Sequence, residues 1–203
     1  MAALAASARF DPDGLLQCPT PAGWLPVALA DLDSLLVDHA ACEQKAAAAA
    51  LAMLGKVPGD RVFVETLSHL AQEEMRHFDL VYRLVLARGG KLRSMLPDPY
   101  VRDLVAIARK GREDGITDRL LVAAMIEARS HERFTLLAGG LTDPVVRELY
   151  EALIPPEAGH AALFVGLAER FSNKAAVRIR LAQVAAHEAQ LVLAQPPEPR
   201  IHG

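Results

Sequence analysis

Apolar side chains recur at alternating steps of three and four residues along four long stretches of this 203-residue chain. Such spacing places one stripe of side chains on a single helix face and therefore predicts four long α-helices. Their expected ranges are about 30–54, 60–88, 117–140 and 143–171. Glycine pairs, Pro-Gly and Asp-Pro steps at the boundaries are ordinary helix stop and start signals. Asn173 is expected to cap a fifth helix that runs to about Leu193.

The segments between these helices complete the expected architecture. Residues 1–29 are rich in proline and glycine, which predicts an irregular lead-in with one short turn after Thr20. A connection over 91–116 is expected to hold a short helix that starts at Asp98-Pro99 and is ended by Gly111. The proline-rich tail, 195–203, is expected to be loose. Together these elements predict one all-α domain over residues 1–203, a four-helix bundle with a long crossover and an additional C-terminal helix.

Composition narrows the class of protein. Hydrophobic residues make up 52% of the chain but aromatic residues only 5%, and alanine and leucine, both strong helix formers, dominate. Two cysteines are too few for a disulfide framework. The longest apolar run, 46–54, is well short of the ~18–20 residues that span a bilayer. We therefore expect a cytoplasmic protein with no membrane partner, and the net charge of −3 requires any nucleic-acid partner to use a local basic patch.

Two Glu-x-x-His pairs provide the candidate chemistry. In each pair, Glu74 with His77 and Glu157 with His160, a spacing of three places both side chains on one helix face. An inward glutamate precedes each pair, Glu43 by 31 residues and Glu127 by 30. A metal centre between the helices is therefore predicted. Its six candidate ligands are Glu43, Glu74, His77, Glu127, Glu157 and His160.

The charge of these residues indicates how many metal ions they would hold. Any single inward glutamate or histidine is more simply interpreted as a paired core charge or a hydrogen-bonded imidazole. Four carboxylates without lysine or arginine on the same stripes would be prohibitively costly to bury, whereas two divalent cations would balance them. Ligation by oxygen with one imidazole per ion favours iron or manganese over zinc. The sequence leaves open which metal binds and which glutamates bridge.

Neighbouring residues carry smaller predictions. His39 lies one turn before Glu43 and is a candidate partner of that ligand, with a satisfied core histidine as the alternative; His131 is a further candidate near Glu127. Glu73 lies off the apolar stripe and is expected to be solvated. The helix phase continues through Pro155-Pro156, so one helix with a local bend or widened turn before Glu157 is expected.

The ligand pattern resembles that of ferritin-like di-iron bundles. More specifically, the segments DHAACEQKAA (38–47), LAQEEMRHF (70–78) and IEARS (126–130) resemble bacterial tRNA-(2-methylthio-N6-isopentenyladenosine) hydroxylases, with similarity over about 20–193. The double proline before Glu157 departs from the plain helix expected there. This resemblance implies an O2-dependent non-haem di-iron monooxygenase that hydroxylates the isopentenyl group of the modified adenosine next to the tRNA anticodon. It also implies two iron ions, O2 as co-substrate, an external electron-donor protein and a monomer or small oligomer.

A tRNA substrate would require a basic surface and an apolar pocket. Residues 88–112 contain seven basic residues against two acidic ones, and a solvated crossover is the alternative interpretation. The tRNA-binding candidates are Arg88, Lys91, Arg93, Arg102, Arg109, Lys110 and Arg112. Candidate pocket residues are Leu70, Phe134 and Phe164. The alternative functions are iron storage or handling in a ferritin-like protein, and peroxide handling at a di-metal site, neither with a tRNA substrate.

Overall fold

The computed structural model of the chain describes residues 11–93 and 97–203. These ranges contain seven α-helices, one 3₁₀ turn at Asp13–Leu15 and no strand, so the all-α prediction is confirmed. The first ten residues of the expected lead-in lie outside the described residues. In chain order the helices are α1 (Trp24–Ala30), α2 (Leu32–Leu54), α3 (Arg61–Ala87), α4 (Pro99–Ala106), α5 (Arg112–Gly140), α6 (Pro144–Phe171) and α7 (Lys174–Ala194).

Four long helices form the bundle in two pairs. α2 packs along α3 and α5 packs along α6, while contacts between α3 and α6 join the pairs. Side-chain caps fix where three of these helices begin: Asp31 accepts from the backbone N–H of Ser34, and Asp60 accepts from that of Phe63. Asp143 caps α6 in the same way. Each cap satisfies a backbone donor that the first helical turn leaves unpaired.

Two apolar clusters fill the bundle, one toward each end. One contains Leu67 and Phe164, and the other contains Val81 and Tyr150. On each of the four long helices, the predicted metal ligands lie between the residues that belong to the two clusters. The buried polar residues therefore form a layer between two hydrophobic cores, which hold the four helices in register around it.

α6 runs without interruption through Pro155-Pro156, which confirms the prediction of a single helix. The expected widened turn is absent from this helix, because residues 151–160 are all α-helical. Two prolines remove the donors that would bond the carbonyls of Glu151 and Ala152. Both residues are exposed, so water can take the place of the missing helical hydrogen bonds.

The crossover differs from the sequence prediction. The short helix ends at Ala106, and Gly111 precedes the third bundle helix, α5, which starts at Arg112 rather than near Thr117. Gly111 has a φ of 111°, a left-handed conformation that suits glycine, and it turns the chain directly into α5. Asp118 then accepts hydrogen bonds from the backbone and guanidinium of Arg109. Gly115, a weak helix former, is part of this first turn and does not mark its boundary.

Both ends of the described chain are more ordered than predicted. The lead-in contains the seven-residue helix α1, whose Trp24 is 1% exposed. The prediction of a loose tail is wrong: Ile201 and His202 are 1% and 6% exposed. Asp38 accepts hydrogen bonds from the backbone of Ile201 and the guanidinium of Arg200, so a carboxylate on α2 holds the tail down. No helix in the described ranges is long and apolar enough to cross a membrane.

Candidate metal centre

All six predicted ligands meet in the polar layer at the middle of the bundle. Each of the four long helices contributes at least one of them, and their exposures lie between 2% and 8%. α3 and α6 each contribute a Glu-x-x-His pair, whereas α2 and α5 each contribute one glutamate. The helical period explains this convergence, because each ligand occupies a core position of its own apolar stripe.

The two imidazoles lie on either side of Glu74. His77 Nδ1 is 3.4 Å from Glu74 Oε2 and 3.7 Å from Glu43 Oε2. On the other side, His160 Nδ1 is 3.0 Å from Glu74 Oε1 and 4.0 Å from Glu127 Oε2. The two rings stack with centroids 5.7 Å apart. Both Nδ1 atoms therefore face the same group of carboxylates.

Two sets of three donors could each hold a metal ion. Glu43, His77 and Glu157 form one set, and Glu74, Glu157 and His160 form the other, with donor atoms within 4.8 Å of one another in each set. Glu157 belongs to both sets. Glu74 likewise has one oxygen on the side of each imidazole. The geometry thus supports two adjacent positions with these two glutamates between them.

Several donor atoms in the cluster lack hydrogen-bond partners within the described part of the chain. They include Glu74 Oε1, His77 Nδ1 and both ring nitrogens of His160. A buried polar atom without a partner costs about 1–3 kcal/mol, and a metal ion would remove that cost by direct coordination. These unpaired donors therefore fit a divalent cation at each position.

Two of the carboxylates and one imidazole have raised pKa values. Burial raises the pKa of Glu157 well above its usual range, and the charges of Glu127 and Glu43 add to the effect. Burial and the charge of Glu74 raise the pKa of Glu127 to about 7. Burial lowers the pKa of His77, but the carboxylates of Glu43 and Glu74 outweigh it and raise the pKa to about 10. Raised pKa values at Glu157, Glu127 and His77 favour protonation of these groups, which lowers the negative charge of the cluster in the absence of metal.

His39 fixes one of the ligands. Its Nε2 lies 2.7 Å from Glu43 Oε1, and the side chain is completely buried. Burial raises the pKa of Glu43, but the hydrogen bond from His39 and the nearby imidazole of His77 outweigh it and hold the pKa well below its usual range. Phe134 and Tyr150 pack against the His39 ring at centroid distances of 4.8 and 5.4 Å. This packing orients the imidazole toward Glu43.

Glu73 is a residue that the sequence pattern missed. Its Oε2 lies 3.4 Å from His160 Nε2, while its side chain remains 41% exposed. The helix period places Glu73 off the buried stripe of α3, but its long side chain reaches His160 on the neighbouring helix α6. A glutamate directly beside a ligand glutamate is the only sequence signal for this contact.

The other predicted residues are placed differently. His131 Nδ1 contacts Asp13, 2.8 Å away, rather than a ligand. Leu70 and Phe164 line a cavity of about 110 Å³ whose wall includes Glu74 and Glu127. Phe134 packs on His39 and is not part of the lining of this cavity.

Three of the seven basic residues of the crossover form ion pairs with acidic side chains. Arg88 pairs with Asp33 and Asp143, and Arg102 pairs with Asp103. Arg109 pairs with two acidic residues of α5. Lys91 and Arg93 line a separate cavity of about 380 Å³ near the C-terminal end of α3. Lys110 and Arg112 are exposed next to the start of α5.

A helical bundle whose four long helices enclose a layer of carboxylates and imidazoles defines the ferritin-like class of di-metal proteins. The chain matches the family described as tRNA-(MS[2]IO[6]A)-hydroxylase (MiaE) over residues 10–203, and it belongs to that family.

Individual relatives agree with this assignment. The tRNA 2-(methylsulfanyl)-N(6)-isopentenyladenosine(37) hydroxylase of Pseudomonas putida is 36% identical over 190 residues, which cover 94% of this chain and 92% of that protein. The protein of the same name from Salmonella typhimurium is 27% identical over 236 residues, with coverages of 92% and 87%. Among solved structures, Protein 43 with aldehyde deformylating oxygenase activity from Synechococcus has a TM-score of 0.89 and 39% identity, covering 93% of this chain and 96% of its own.

Proposed function

We propose that this chain is an O2-dependent di-iron hydroxylase of the isopentenyl group of 2-methylthio-N6-isopentenyladenosine in tRNA. The observation that carries the proposal is a six-residue ligand cluster that forms part of the wall of an apolar cavity. Family membership gives the substrate class. A tRNA substrate places the reaction in the cytoplasm.

Each ligand has a defined task in this proposal. One iron would be held by Glu43 and His77, the other by Glu127 and His160, with Glu74 and Glu157 shared between them; when bound, the pair supplies reductive activation of O2. His39 keeps the Glu43 carboxylate oriented through its 2.7 Å contact. The two apolar clusters on either side of the polar layer would limit the access of water to the metal positions from both ends of the bundle.

The cavity beside the cluster fits the side chain of a nucleoside rather than a whole molecule. Its volume of about 110 Å³ is well below the ~300–1,000 Å³ of pockets that enclose a drug-sized ligand. Leu70, Phe164 and Ile126 supply apolar contacts, while Glu74 and Glu127 form the metal side. A five-carbon prenyl group could enter while the rest of the nucleoside stays outside.

A second cavity provides the route of approach. This cavity of about 200 Å³ lies between α2, α4 and α5, and its lining includes Lys56 and Arg119. Both cavities share the lining residues Ala49, Met53, Val101, Ala123 and Ile126. The cavity that Lys91 and Arg93 line shares no lining residue with the cavity beside the metal ligands. We therefore assign the contacts with tRNA phosphates to Lys56 and Arg119.

Mass analysis of modified nucleosides tests the activity. The iron-loaded protein is incubated with O2, a reductant and tRNA that carries the prenylated adenosine, and the digest is compared with that of a Glu157→Gln variant. The proposal expects one added oxygen on the prenylated adenosine with the wild-type protein alone. An unchanged nucleoside with iron-replete wild-type protein would refute it.

Binding of tRNA tests the route of approach. Charge reversal at Lys56 and Arg119 should weaken tRNA binding and flatten its dependence on salt, because each lost phosphate contact reduces counterion release. Charge reversal at Lys91 and Arg93 is the matched comparison for the patch predicted from sequence. A stronger effect at Lys91 and Arg93 would move the tRNA surface to the other end of the bundle.

Electrons must come from another protein in this scheme. The two cysteines, Cys18 and Cys42, are 24 positions apart in the sequence and form no Cys-x-x-Cys pair. A monomer or small oligomer leaves the approach route open to a macromolecule, whereas a storage cage would run as a large closed shell in a size measurement.

Aldehyde deformylation is a second candidate, because the solved structure with 39% identity carries that activity in its description. A short apolar aldehyde would occupy the same cavity beside Glu74 and Glu127. The same iron-loaded preparation should therefore be assayed with aldehydes of increasing chain length. Turnover of aldehyde without hydroxylation of tRNA would favour this second activity.

A further inference from the structure

A second group of metal-binding side chains lies beside the first, where the C-terminal tail returns to the bundle. Cys42 on α2, Asp98 at the start of α4 and His202 in the tail offer donor atoms that lie within 4.8 Å of one another. The side chains of Asp98 and His202 are only 7% and 5% exposed. The six ligands of the central cluster do not include any of these three residues.

The distances match a tetrahedral site. Cys42 Sγ lies 3.9 Å from His202 Nδ1, and the same nitrogen lies 3.2 Å from Asp98 Oδ2. Bond lengths of about 2.3 Å to sulfur and 2.0–2.1 Å to nitrogen or oxygen put neighbouring tetrahedral donors roughly 3.3–3.7 Å apart. For these two pairs, coordination requires shifts of only a few tenths of an ångström. All three residues line the cavity of about 110 Å³, so water can fill a fourth position there.

Neighbouring groups already hold His202 in the orientation of a ligand. Its Nε2 lies 3.3 Å from Ser130 Oγ, and its ring stacks on Tyr100 with centroids 5.1 Å apart. Without metal, Nδ1–H donates to the Asp98 carboxylate; a bound cation would take the place of this proton, and the imidazole would then carry its proton on Nε2, toward Ser130. A hydrogen bond on the distal ring nitrogen is the usual support of a metal-bound histidine.

We propose that Cys42, Asp98 and His202 form a mononuclear site for Zn²⁺, with water as the fourth ligand. A thiolate, an imidazole and a carboxylate are the donor types that zinc takes in proteins, and the thiolate distinguishes this site from the oxygen-rich central cluster. Binding releases the thiol proton of Cys42 to solvent. The thiolate and the Asp98 carboxylate then balance the two charges of the ion.

The site would fasten the tail to the wall of the cavity that Glu74 and Glu127 also line. Asp38 already accepts hydrogen bonds from Arg200 and from the backbone of Ile201. A metal bond to His202 would add a link from the tail to both α2 and α4. A zinc ion there would thus link the tail to the bundle, separately from the redox chemistry of the central cluster.

Cobalt substitution tests this site selectively. Co²⁺ bound to a thiolate gives an intense charge-transfer absorption in the near ultraviolet, and Cys42 is the cysteine that the site supplies. Protein already loaded with iron at the central cluster and then titrated with Co²⁺ should show this band in the difference spectrum at one further equivalent per chain, and excess Zn²⁺ should remove it. Absence of the band at saturating Co²⁺ overturns the proposal.

Matched variants assign the band to the proposed residues. Cys42→Ser, which is nearly isosteric, should abolish it, whereas Cys18→Ser should leave it intact. Ser130→Ala should weaken Co²⁺ binding about 10–100-fold through loss of the supporting hydrogen bond. Glu74→Gln disables the central cluster and should retain the band, so failure of the di-iron proposal would be visible separately. A band that persists in folded Cys42→Ser protein contradicts the assignment.

Discussion

Two buried clusters of charged residues lie side by side on α5, and they differ in how their carboxylates are neutralised. Glu127 belongs to the central Glu/His cluster, whereas Arg129, two residues later, forms an ion pair with Glu188 of α7. In that pair both side chains are fully buried, and the guanidinium donates to both oxygens of Glu188 at 2.8 and 2.9 Å. Tyr100 also donates to Glu188, so the carboxylate has three hydrogen bonds.

The difference distinguishes a cluster that is neutralised within the chain from a candidate metal centre. Arg129 also bonds to Glu132, and the nearby charge of Arg133 acts on both carboxylates, so two guanidinium groups of the chain itself match the two carboxylates. The central cluster has four carboxylates, and its nitrogen donors are two histidines rather than lysine or arginine. Burial of such a group is stable when cations from outside the chain complete it. Buried charge alone does not identify a functional site; unmatched buried charge does.

The largest expected effect comes from Glu74, which has one oxygen on the side of each imidazole. Glu74→Ala should reduce iron binding below two ions per chain and lower hydroxylation at least about 100-fold, because it removes a shared ligand. Metal analysis after anaerobic loading and a tRNA assay measure both effects. Glu65→Ala, on an exposed part of α3, is the control; two ions per chain in Glu74→Ala would show that this carboxylate is not a ligand.

Removal of Glu188 should affect stability and leave the metal centre intact. Glu188→Ala leaves Arg129 buried without its bidentate partner, and breaking a buried pair costs about 3–5 kcal/mol of unfolding free energy. Urea unfolding measures this loss, and iron stoichiometry in native buffer should remain two. Replacement of both residues by methionine should recover most of the stability. Loss of iron binding in folded Glu188→Ala protein would break the distinction between the two clusters.

His39 should have an intermediate effect confined to one metal position. His39→Gln disturbs the 2.7 Å contact with Glu43, and loss of such supporting contacts typically costs 10–100-fold in metal affinity. Anaerobic Fe²⁺ titration should therefore show one weakened and one unchanged site. His131→Gln serves as the control, because the sequence also indicates His131 as a candidate near the ligands but the structure pairs it with Asp13. Equal affinities in the wild type and His39→Gln would make His39 an ordinary core histidine.

The smallest expected effect is on the acid stability of the fold and comes from Asp118 on α5. Burial raises the pKa of Asp118, but Arg109 and Arg180 outweigh it and lower the pKa to about 2. Because the folded pKa is below the ordinary 3.8, this stabilisation is complete above about pH 4 and is lost as the pH falls toward 2.

Asp118→Asn should therefore lower stability at pH 7 and lose less on going to pH 3 than the wild type does. Urea unfolding at both pH values gives the comparison. Asp79→Asn, in an exposed pair with Arg83, should change stability by less than about 1 kcal/mol. If Asp118→Asn lost as much unfolding free energy between pH 7 and pH 3 as the wild type, Asp118 would not contribute to the acid sensitivity of the fold.

The helical period of the sequence predicted most of the fold and the residues of the candidate site. It identified the four bundle helices, and the prediction of a ferritin-like all-α fold is confirmed. It also selected the six residues that the structure brings together, because ligands at core positions follow the same spacing as apolar residues. The position of each ligand on its own helix is therefore determined by the local sequence.

Contacts between distant segments were beyond this reasoning. The tail was expected to be loose because it is rich in proline, yet Asp38 binds it from 163 positions away. The link between Arg129 and Glu188 spans 59 positions and connects α5 to α7. Tertiary partners of this kind leave no periodic signal in one sequence, so their residues resemble ordinary surface or core positions.

Anomalous diffraction at the iron edge tests the central claim most directly. Crystals grown anaerobically with Fe²⁺ should show two peaks about 3.5–4 Å apart, the separation typical of two-metal sites. Both peaks should lie between Glu43, His77, Glu127 and His160, with Glu74 and Glu157 between the ions. A single peak, or peaks away from these residues, would contradict a di-iron centre in this bundle.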